Sequence, residues 1–529
     1  MRDKWDKRHG AQTYGAMTID KAISGCREIY SGYSAPSDRS SYKEHDRITE
    51  IPRSYKPLIE DFEDFTDAGN AKMFSQAYKD IAFYTATEGW FVWNGIKWEQ
   101  GNNKEVTLAE QLTDNMAKEA KQDIGKAHRA ISRADEADDR DGRKLAEKQL
   151  KAGKEYLKHA KASRGNSRIN GMLEIAQAFM FTKPDKLDSD PHVLNTPAGI
   201  VDLKTGAVQP HKSKKYCTKV TRISPGKGGM QLWLDFLGVV SCEDPGMINF
   251  LQQLAGMILT GKVYEETLIN AIGSGRNAKS TFFNVLAYIL GDYACMIAPE
   301  MLTITNKTFG AEKALLKAIR LAIAAETAEG ERLNTSMLKQ LVSTDLIHCE
   351  RKYKAPEDFV PSHTVVLYTN NPLRVGTTDN GTWRRLMIIP FNAVIPENSE
   401  IKNYASYLAE HAGGAILTWM IEGAMMFAKN GYTLHTPEAI ELAKEEYQIE
   451  NDWMGEFLEE HCDLGYALNV QAGSLYQRYY EWAKIAQGYI RRKDVFTSEM
   501  TKRGFEKRRN NKGIYWYGLS LKPFDFQGV

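Results

Sequence analysis

The chain has 529 residues, too many for one ordinary hydrophobic core and enough for three or four domains. Hydrophobic residues at 42% and charged residues at 26% describe a soluble globular protein, and no apolar run approaches membrane-spanning length. The formal net charge of +1 supplies no global attraction to nucleic acid, so a DNA contact has to be a local patch, and the six cysteines lack the paired spacing of a zinc ribbon or a disulfide framework.

Residues 1–66 open without the apolar core of a signal peptide, and reduced, scattered thiols point to a cytoplasm. The run Arg2-Asp-Lys-Trp5-Asp-Lys-Arg-His-Gly10, with Thr13-Tyr14-Gly15, resembles the closing part of the helical module that joins primase to helicase in phage and plasmid primase-helicases. Residues 31–66, rich in Ser, Tyr, Pro and charge, read as a linker. An α+β domain is expected over 67–260. Trp90-Phe-Val-Trp93-Asn94-Gly95-Ile96-Lys97-Trp98 predicts a hairpin turning at Asn-Gly, with tryptophans that form a small core or stack on bases. From Val106 to about Arg164 the Ala, Lys, Glu and Leu content, broken near Asp135 to Gly142, predicts two charged helices packed as a hairpin. Strand and turn chemistry returns at Val193 to Gly206, and helices around Trp233 and Phe250 lead into the next domain.

Over 261–440 the order of parts is that of a phosphate-binding loop. An apolar strand, Leu268 to Ile272, is followed by Gly273-Ser274-Gly275-Arg276-Asn277-Ala278-Lys279-Ser280-Thr281 and an apolar helix. Backbone N–H groups at a helix start attract phosphate oxygens; Lys279 can reach the β and γ phosphates of ATP, and Ser280 can ligate Mg²⁺. Ala278 stands where a glycine usually precedes the lysine, which is unfavourable if the position needs positive φ. Leu321 to Ala325 predicts a strand beside the phosphate-loop strand, ending in Glu326, which could hold Mg²⁺ or activate the attacking water. Thr364 to Thr369 predicts a strand ending in Asn370, whose amide could sense the γ-phosphate. Between them, Ile347 to Tyr353 and its return from Phe359 predict a hairpin with Lys352 and Lys354 near its tip, suited to a phosphate backbone or to protecting a sheet edge. Arg384 and Arg385 begin a further strand; an arginine there can neutralise phosphoryl-transfer charge from a neighbouring subunit.

Residues 441–529 predict helices around Trp453 and Leu475 to Trp482, then a basic helix and an aromatic strand pair, together a winged-helix arrangement. Residues 491–512 hold nine basic side chains against three acids, and Arg503, Lys507, Arg508 and Arg509 are the candidate DNA contacts.

The order of phosphate loop, acid-ended strand, Lys339 to Asp345 to Arg351-Lys352-Tyr353, Thr369-Asn370 and Trp383-Arg384-Arg385 resembles superfamily 3 helicases of the phage, plasmid and poxvirus primase-helicase branch. The resemblance implies a multidomain α/β protein with an AAA+ (P-loop NTPase) motor, a hexameric ring moving 3′ to 5′ on single-stranded or forked DNA with ATP and Mg²⁺, and a separate primase or polymerase as partner. It carries over Lys279, Ser280, Glu326, Asn370 and one arginine finger, preferably Arg385. Ala278, and Glu326 where relatives have two adjacent acids, depart from the pattern. A double-stranded DNA translocase and an origin-binding scaffold that holds ATP without hydrolysing it are the alternatives.

Overall fold

The computed structural model describes residues 8, 9, 12, 13 and 65–523, apart from 306, 351–355, 377, 378, 396–402 and 488. The segment read as a linker therefore lies almost wholly outside the described residues, as do Lys352 and Lys354. Near the N-terminus, Arg8–His9 pairs antiparallel with Gln12–Thr13. The rest divides into two compact units, one formed by residues up to Ile81 with Val106–Phe179, the other by Ala82–Glu105 with Met180–Val529.

The first unit is helical: α1 (Asp67–Tyr78), α2 (Lys104–Glu136, most of it here), α3 (Arg140–Ser163) and α4 (Asn166–Phe179). Alanine and leucine at helical spacing, Leu108, Leu112, Met116 and Ala120, form the buried stripe of α2 while lysine and glutamate face water. Asp139 starts α3 by accepting a hydrogen bond from the Gly142 N–H at 2.9 Å. Inside the unit, Asn70 donates to Ser163 Oγ at 2.9 Å and its own carbonyl meets His159 Nε2 at 2.9 Å, so three buried polar side chains satisfy one another.

The second unit begins with β1 (Ala82–Thr85), β2 (Gly89–Trp93) and β3 (Trp98–Gln100). The expected hairpin is present, its turn made by Asn94, whose side-chain oxygen accepts from the Ile96 and Lys97 N–H groups at 2.8 Å each. Trp98 packs against Phe83 and Phe91 in a small core, which favours the structural reading of these tryptophans over base stacking. A second antiparallel sheet holds β4 (Val193–Thr196), β5 (Gly199–Asp202) and β6 (Val208–Gln209). Two helices follow, α5 (Met230–Val240) and α6 (Pro245–Leu259).

The centre of this unit is a five-stranded, all-parallel sheet. Its strands are β7 (Leu268–Ile272), followed by α7 (Lys279–Leu290), then β8 (Ala294–Met296), β9 (Leu321–Ala325), β12 (Thr364–Thr369) and β13 (Leu386–Pro390). Between β9 and β12 lie α8 (Thr335–Val342) and the short antiparallel pair β10 (Ile347–Cys349) and β11 (Glu357–Phe359). The spatial order is β8, β9, β12, β7, β13. This corrects one expectation: the acid-ended strand does not lie beside β7, because the asparagine-ended strand is inserted between them. Strand adjacency is decided by the crossovers, which local sequence does not encode.

Both faces of the sheet are covered, as parallel strands require. Ile269 and Ala271 of β7 face a core with Trp233 of α5, Phe282 of α7 and Trp419 of α9 (Tyr404–Lys429), whereas Leu268 faces one with Leu338, Ile347 and Trp383. Helices α6 and α9 approach at backbone distance: a Cβ added to Gly256 would lie 2.1 Å from the Ala424 nitrogen, and one on Gly423 2.0 Å from the Gln252 carbonyl oxygen. After α10 (Glu438–Glu450) come α11 (Trp453–His461), β14 (Cys462–Gln471), α12 (Ala472–Trp482), α13 (Lys493–Lys502), β15 (Glu506–Asn510) and β16 (Gly513–Leu521). These C-terminal elements share a core of Trp453, Phe457, Tyr479, Phe496 and Trp516, with sheet order β14, β16, β15.

Candidate functional site

The carboxyl ends of β7, β9 and β12 carry the side chains that the sequence singled out. Lys279 opens α7 and is 4% exposed; its Nζ donates to Asn370 Oδ1 at 2.5 Å, and to Asn277 Oδ1 and the Gly273 carbonyl at 3.3 Å each. Burial lowers the pKa of this ammonium, and the Glu326 carboxylate opposes that shift, which places Glu326 within electrostatic reach of Lys279. Three residues predicted from three separate stretches are therefore brought to one place.

The loop between β7 and α7 is shaped by backbone angles that side chains resist. Gly275, Arg276 and Ala278 have φ of 99°, 50° and 58°. A loop in which left-handed residues are interspersed with others, as Asn277 is between Arg276 and Ala278, is of the kind whose successive N–H groups can make a concave anion-binding cradle. Gly273 has no alternative: a Cβ there would fall 2.0 Å from Asn277 Nδ2 and 2.5 Å from the Phe391 carbonyl oxygen. Asn277 is 2% exposed and its Nδ2 has no hydrogen-bond partner. Ser274 is exposed, and Ser280 and Thr281 are half-buried at the start of α7. A buried ammonium already surrounded by oxygen acceptors, beside an unsatisfied amide donor, matches the chemistry of a polyphosphate.

Glu326 is exposed and itself adopts a φ of 53°, directly after β9. Its N–H donates to the Tyr368 carbonyl at 3.1 Å. Beneath it, Thr327 Oγ1 and Thr369 Oγ1 lie 2.9 Å apart, and Thr327 Oγ1 also donates to the Asn371 carbonyl at 2.7 Å. This hydroxyl pair ties the end of the acid strand to the end of the asparagine strand, and nothing in the sequence reading anticipated it. Glu329, also close in sequence, is exposed on the following turn.

Arg384 and Arg385 lie at the opposite edge of the sheet. The Arg385 carbonyl accepts from the Leu268 N–H at the start of β7, so four strand steps, roughly 13 Å, separate the pair from the end of β7. Arg385, with its side chain 12% exposed, donates to Glu266 Oε2 at 2.7 Å and to the Gly381 carbonyl at 2.8 Å. Arg384 is 68% exposed along its side chain and only approaches Glu266, at 3.8 Å. The one-turn helix before them, Asn380–Trp383, is capped by Asp379, whose carboxyl is pushed down to about 2, chiefly by the Lys339 ammonium at 2.6 Å.

In the C-terminal module the expected basic helix is corrected. Helix α13 carries two lysines and two acids, and Lys507, Arg508 and Arg509 instead sit on the exposed strand β15. All five residues of β15 are polar and exposed, and it is held as a strand by pairing with the aromatic β16 over its whole length. Arg503 is engaged by Asp452 and by Glu499 at 3.7 Å, and Arg508 by Glu506, while Lys507 lies 5.5 Å from the centre of the Trp516 ring. Among the described residues no helix is long and apolar enough to cross a membrane, and no group of three or more His, Cys, Asp or Glu is arranged to hold a metal by itself.

Residues 71–242 match the family described as D5 N terminal like, residues 271–385 a family of unknown function, DUF5906, and residues 1–32 the NrS-1 polymerase HBD domain. The second match spans every site residue from the loop to Arg385. A protein of Acanthamoeba polyphaga mimivirus named "Putative helicase" is 28% identical over 243 residues, 44% of this chain and 25% of that protein. A protein of African swine fever virus named "Putative primase" is 28% identical over 214 residues, 38% of this chain and 22% of that protein. The chain thus spans about a quarter of the length of these relatives. The solved A-form apo structure of the NrS-1 C-terminal region aligns with a TM-score of 0.36 at 12% identity, covering 56% of this chain and 76% of that one.

Proposed function

From the premise that the chain is of the phage and viral primase-helicase type, we propose that it is an ATP-driven DNA helicase of a replication system, built on an AAA+ motor with a winged-helix C-terminal module. One observation carries the reading: Lys279, Asn370 and Glu326 converge at the carboxyl edge of a parallel sheet around a loop bent to receive an anion. Ligands of open α/β sheets bind at that edge.

In this reading the N–H groups of Gly275 to Lys279 hold the β-phosphate, and Lys279 exchanges its contacts with Asn277 and Gly273 for phosphate oxygens. The Ser280 hydroxyl and the Glu326 carboxylate are hard oxygen ligands that suit Mg²⁺, which when bound neutralises charge between the β- and γ-phosphates. Glu326 accepts the proton of the attacking water, and Asn370, already hydrogen-bonded to Lys279, positions that water relative to the γ-phosphate. The guanidinium that completes the site comes from a second copy of the chain, because the chain's own pair lies at the far edge of the sheet. Arg384 is the finger, since Arg385 is engaged by Glu266 and Gly381. The strand β15 and the segment bearing Lys352 and Lys354 follow the phosphate backbone of single-stranded DNA without reading bases.

ATP turnover with and without single-stranded DNA, followed by unwinding of a forked duplex, tests the proposal. Turnover stimulated by DNA together with unwinding supports it. Binding without turnover would favour an origin-binding scaffold, and turnover stimulated by duplex DNA without unwinding would favour a double-stranded DNA translocase.

A further inference from the structure

Where the loops behind the candidate ATP site meet the C-terminal module, a cavity of about 180 Å³ is lined by Arg332, Arg374, Arg491, Tyr489 and Trp453, with Glu450 and Glu456 also at its wall. Arg491 is 6% exposed, and its Nε and Nη1 are buried without a hydrogen-bond partner, as is Nη1 of Arg332. The two guanidiniums are held by rings rather than by acids. Arg332 stacks 3.8 Å from the centre of Tyr489, and Arg491 4.2 Å from the centre of Trp453. Burial lowers the pKa of both guanidiniums, and like charge adds to it, Arg332 beside Arg491 and Arg374 beside Arg332. Buried guanidinium donors without acceptors are rare and unfavourable unless something supplies the acceptors.

We propose that this cavity is a phosphate-binding site that takes one backbone phosphodiester of single-stranded DNA. The ligand has to be anionic, compact and rich in acceptors, because planar guanidinium forks recognise such oxygens. Its volume is below the roughly 300 Å³ of sites that enclose a drug-sized molecule, which leaves room for a phosphate group and waters and not for a whole nucleotide. The exposed Lys493, two residues after Arg491, extends the positive surface outwards, as a continuing polyanion requires and a free ion does not, while the intervening Arg492 is paired with Asp494 at 2.8 Å. The site is also joined to the candidate ATP site. Arg332 follows Glu326 by six residues and Arg374 follows Asn370 by four, and the two loops are linked by Arg374 N–H to the Glu331 carbonyl at 2.8 Å and Leu333 N–H to the Arg374 carbonyl at 3.0 Å. The Val375 N–H in turn donates to Asn451 Oδ1 of the neighbouring wall at 2.6 Å. Only the choice of DNA as the source of the phosphate rests on the helicase reading.

The test is fluorescence anisotropy of a labelled single-stranded oligonucleotide with the full chain, without nucleotide, over a series of salt concentrations. Arg332→Gln and Arg374→Gln are expected to weaken binding about ten-fold and to make the slope of log affinity against log salt shallower by about 0.7, the value for one phosphate of a single strand. Glu450→Gln, at an exposed position, is expected to tighten binding about two- to five-fold by removing a like charge from the ligand's surroundings. It keeps the test decisive if the arginine variants fold poorly. Unchanged affinity and slope in these variants, or no oligonucleotide binding by the wild type, would overturn the proposal. So would a melting temperature raised by inorganic phosphate in the wild type and not in Arg332→Gln while oligonucleotide binding is unaltered, since the cavity would then serve a free anion. Because ATP is absent throughout, failure here is separate from failure of the turnover test.

Discussion

Ala278 offers the sharpest test of the loop geometry. Its φ of 58° and ψ of 11° place an L-residue in the left-handed region at the entrance to α7. That conformation costs an L-residue about 1–2 kcal/mol. Glycine would remove the strain and give back about 0.4–1 kcal/mol through the greater freedom of the unfolded chain. Ala278→Gly is therefore expected to stabilise the loop and the first turns of α7 by about 1 kcal/mol, the difference of those two effects. The effect is local, so hydrogen exchange suits it better than global unfolding of a chain with several cores. Peptides covering 273–290 should exchange about five-fold more slowly in the variant, as about 1 kcal/mol of added protection implies. Ala278→Val should speed exchange in the same peptides, because branching at Cβ worsens the clash. Equal or faster exchange in the glycine variant would mean that the residue is not held at positive φ, and the cradle argument would lose its geometric basis.

Other outcomes follow from single contacts. Arg384→Ala should leave the melting temperature unchanged and abolish ATP turnover, whereas Arg385→Ala should lower the melting temperature, because Glu266 and the Gly381 carbonyl lose their partner; calorimetry beside a turnover assay separates the two, and the reverse pattern would reassign the finger. Gly256→Ala should destabilise the protein by about 1–3 kcal/mol or prevent folding, since its new methyl meets the α9 backbone, whereas Gly473→Ala, exposed on α12 with open space around it, meets no such clash. His363 is buried with its pKa lowered to about 4 by desolvation, against 6.5 in the unfolded chain, and its Nε2 donates to the Leu341 carbonyl at 3.0 Å. Its neutral form therefore favours the fold above pH 6.5, and as pH falls to 4 about 3 kcal/mol is lost. Denaturant titrations across that range should show the loss in the wild type and a flatter profile in His363→Gln, which keeps an N–H donor for Leu341.

The parts legible in the sequence were those where one local pattern carries one physical meaning. A short apolar run ending in a polar group is a buried parallel strand reaching the sheet edge, and Glu326 and Asn370 each stand at such an end, while Lys279 opens the helix that follows the glycine-bearing loop after a third such run. Asn94-Gly95 declared its turn for the same reason. Facts that depend on distant partners could not be read. The insertion of β12 between β7 and β9 follows from crossover geometry, and the backbone contact of Gly256 with Gly423 joins positions more than 160 residues apart. Nothing local distinguishes Arg385, held by Glu266, from its neighbour Arg384, because the acid lies 119 residues away. Arg332 and Arg491 read as ordinary surface charge, and only the fold places them around one cavity. The basic run near the C-terminus showed its charge but not its strand conformation, since residues 506–510 are all polar and all exposed and so carry no apolar period from which a strand could be read.

The central claim, that one chain's Lys279 and a neighbour's Arg384 act on the same triphosphate, is tested most directly by mixing two inactive proteins. Lys279→Ala and Arg384→Ala, each without turnover alone, should regain part of the wild-type ATP hydrolysis when co-assembled, because some interfaces then hold an intact lysine beside an intact arginine. A mixture as inactive as its components would contradict the account.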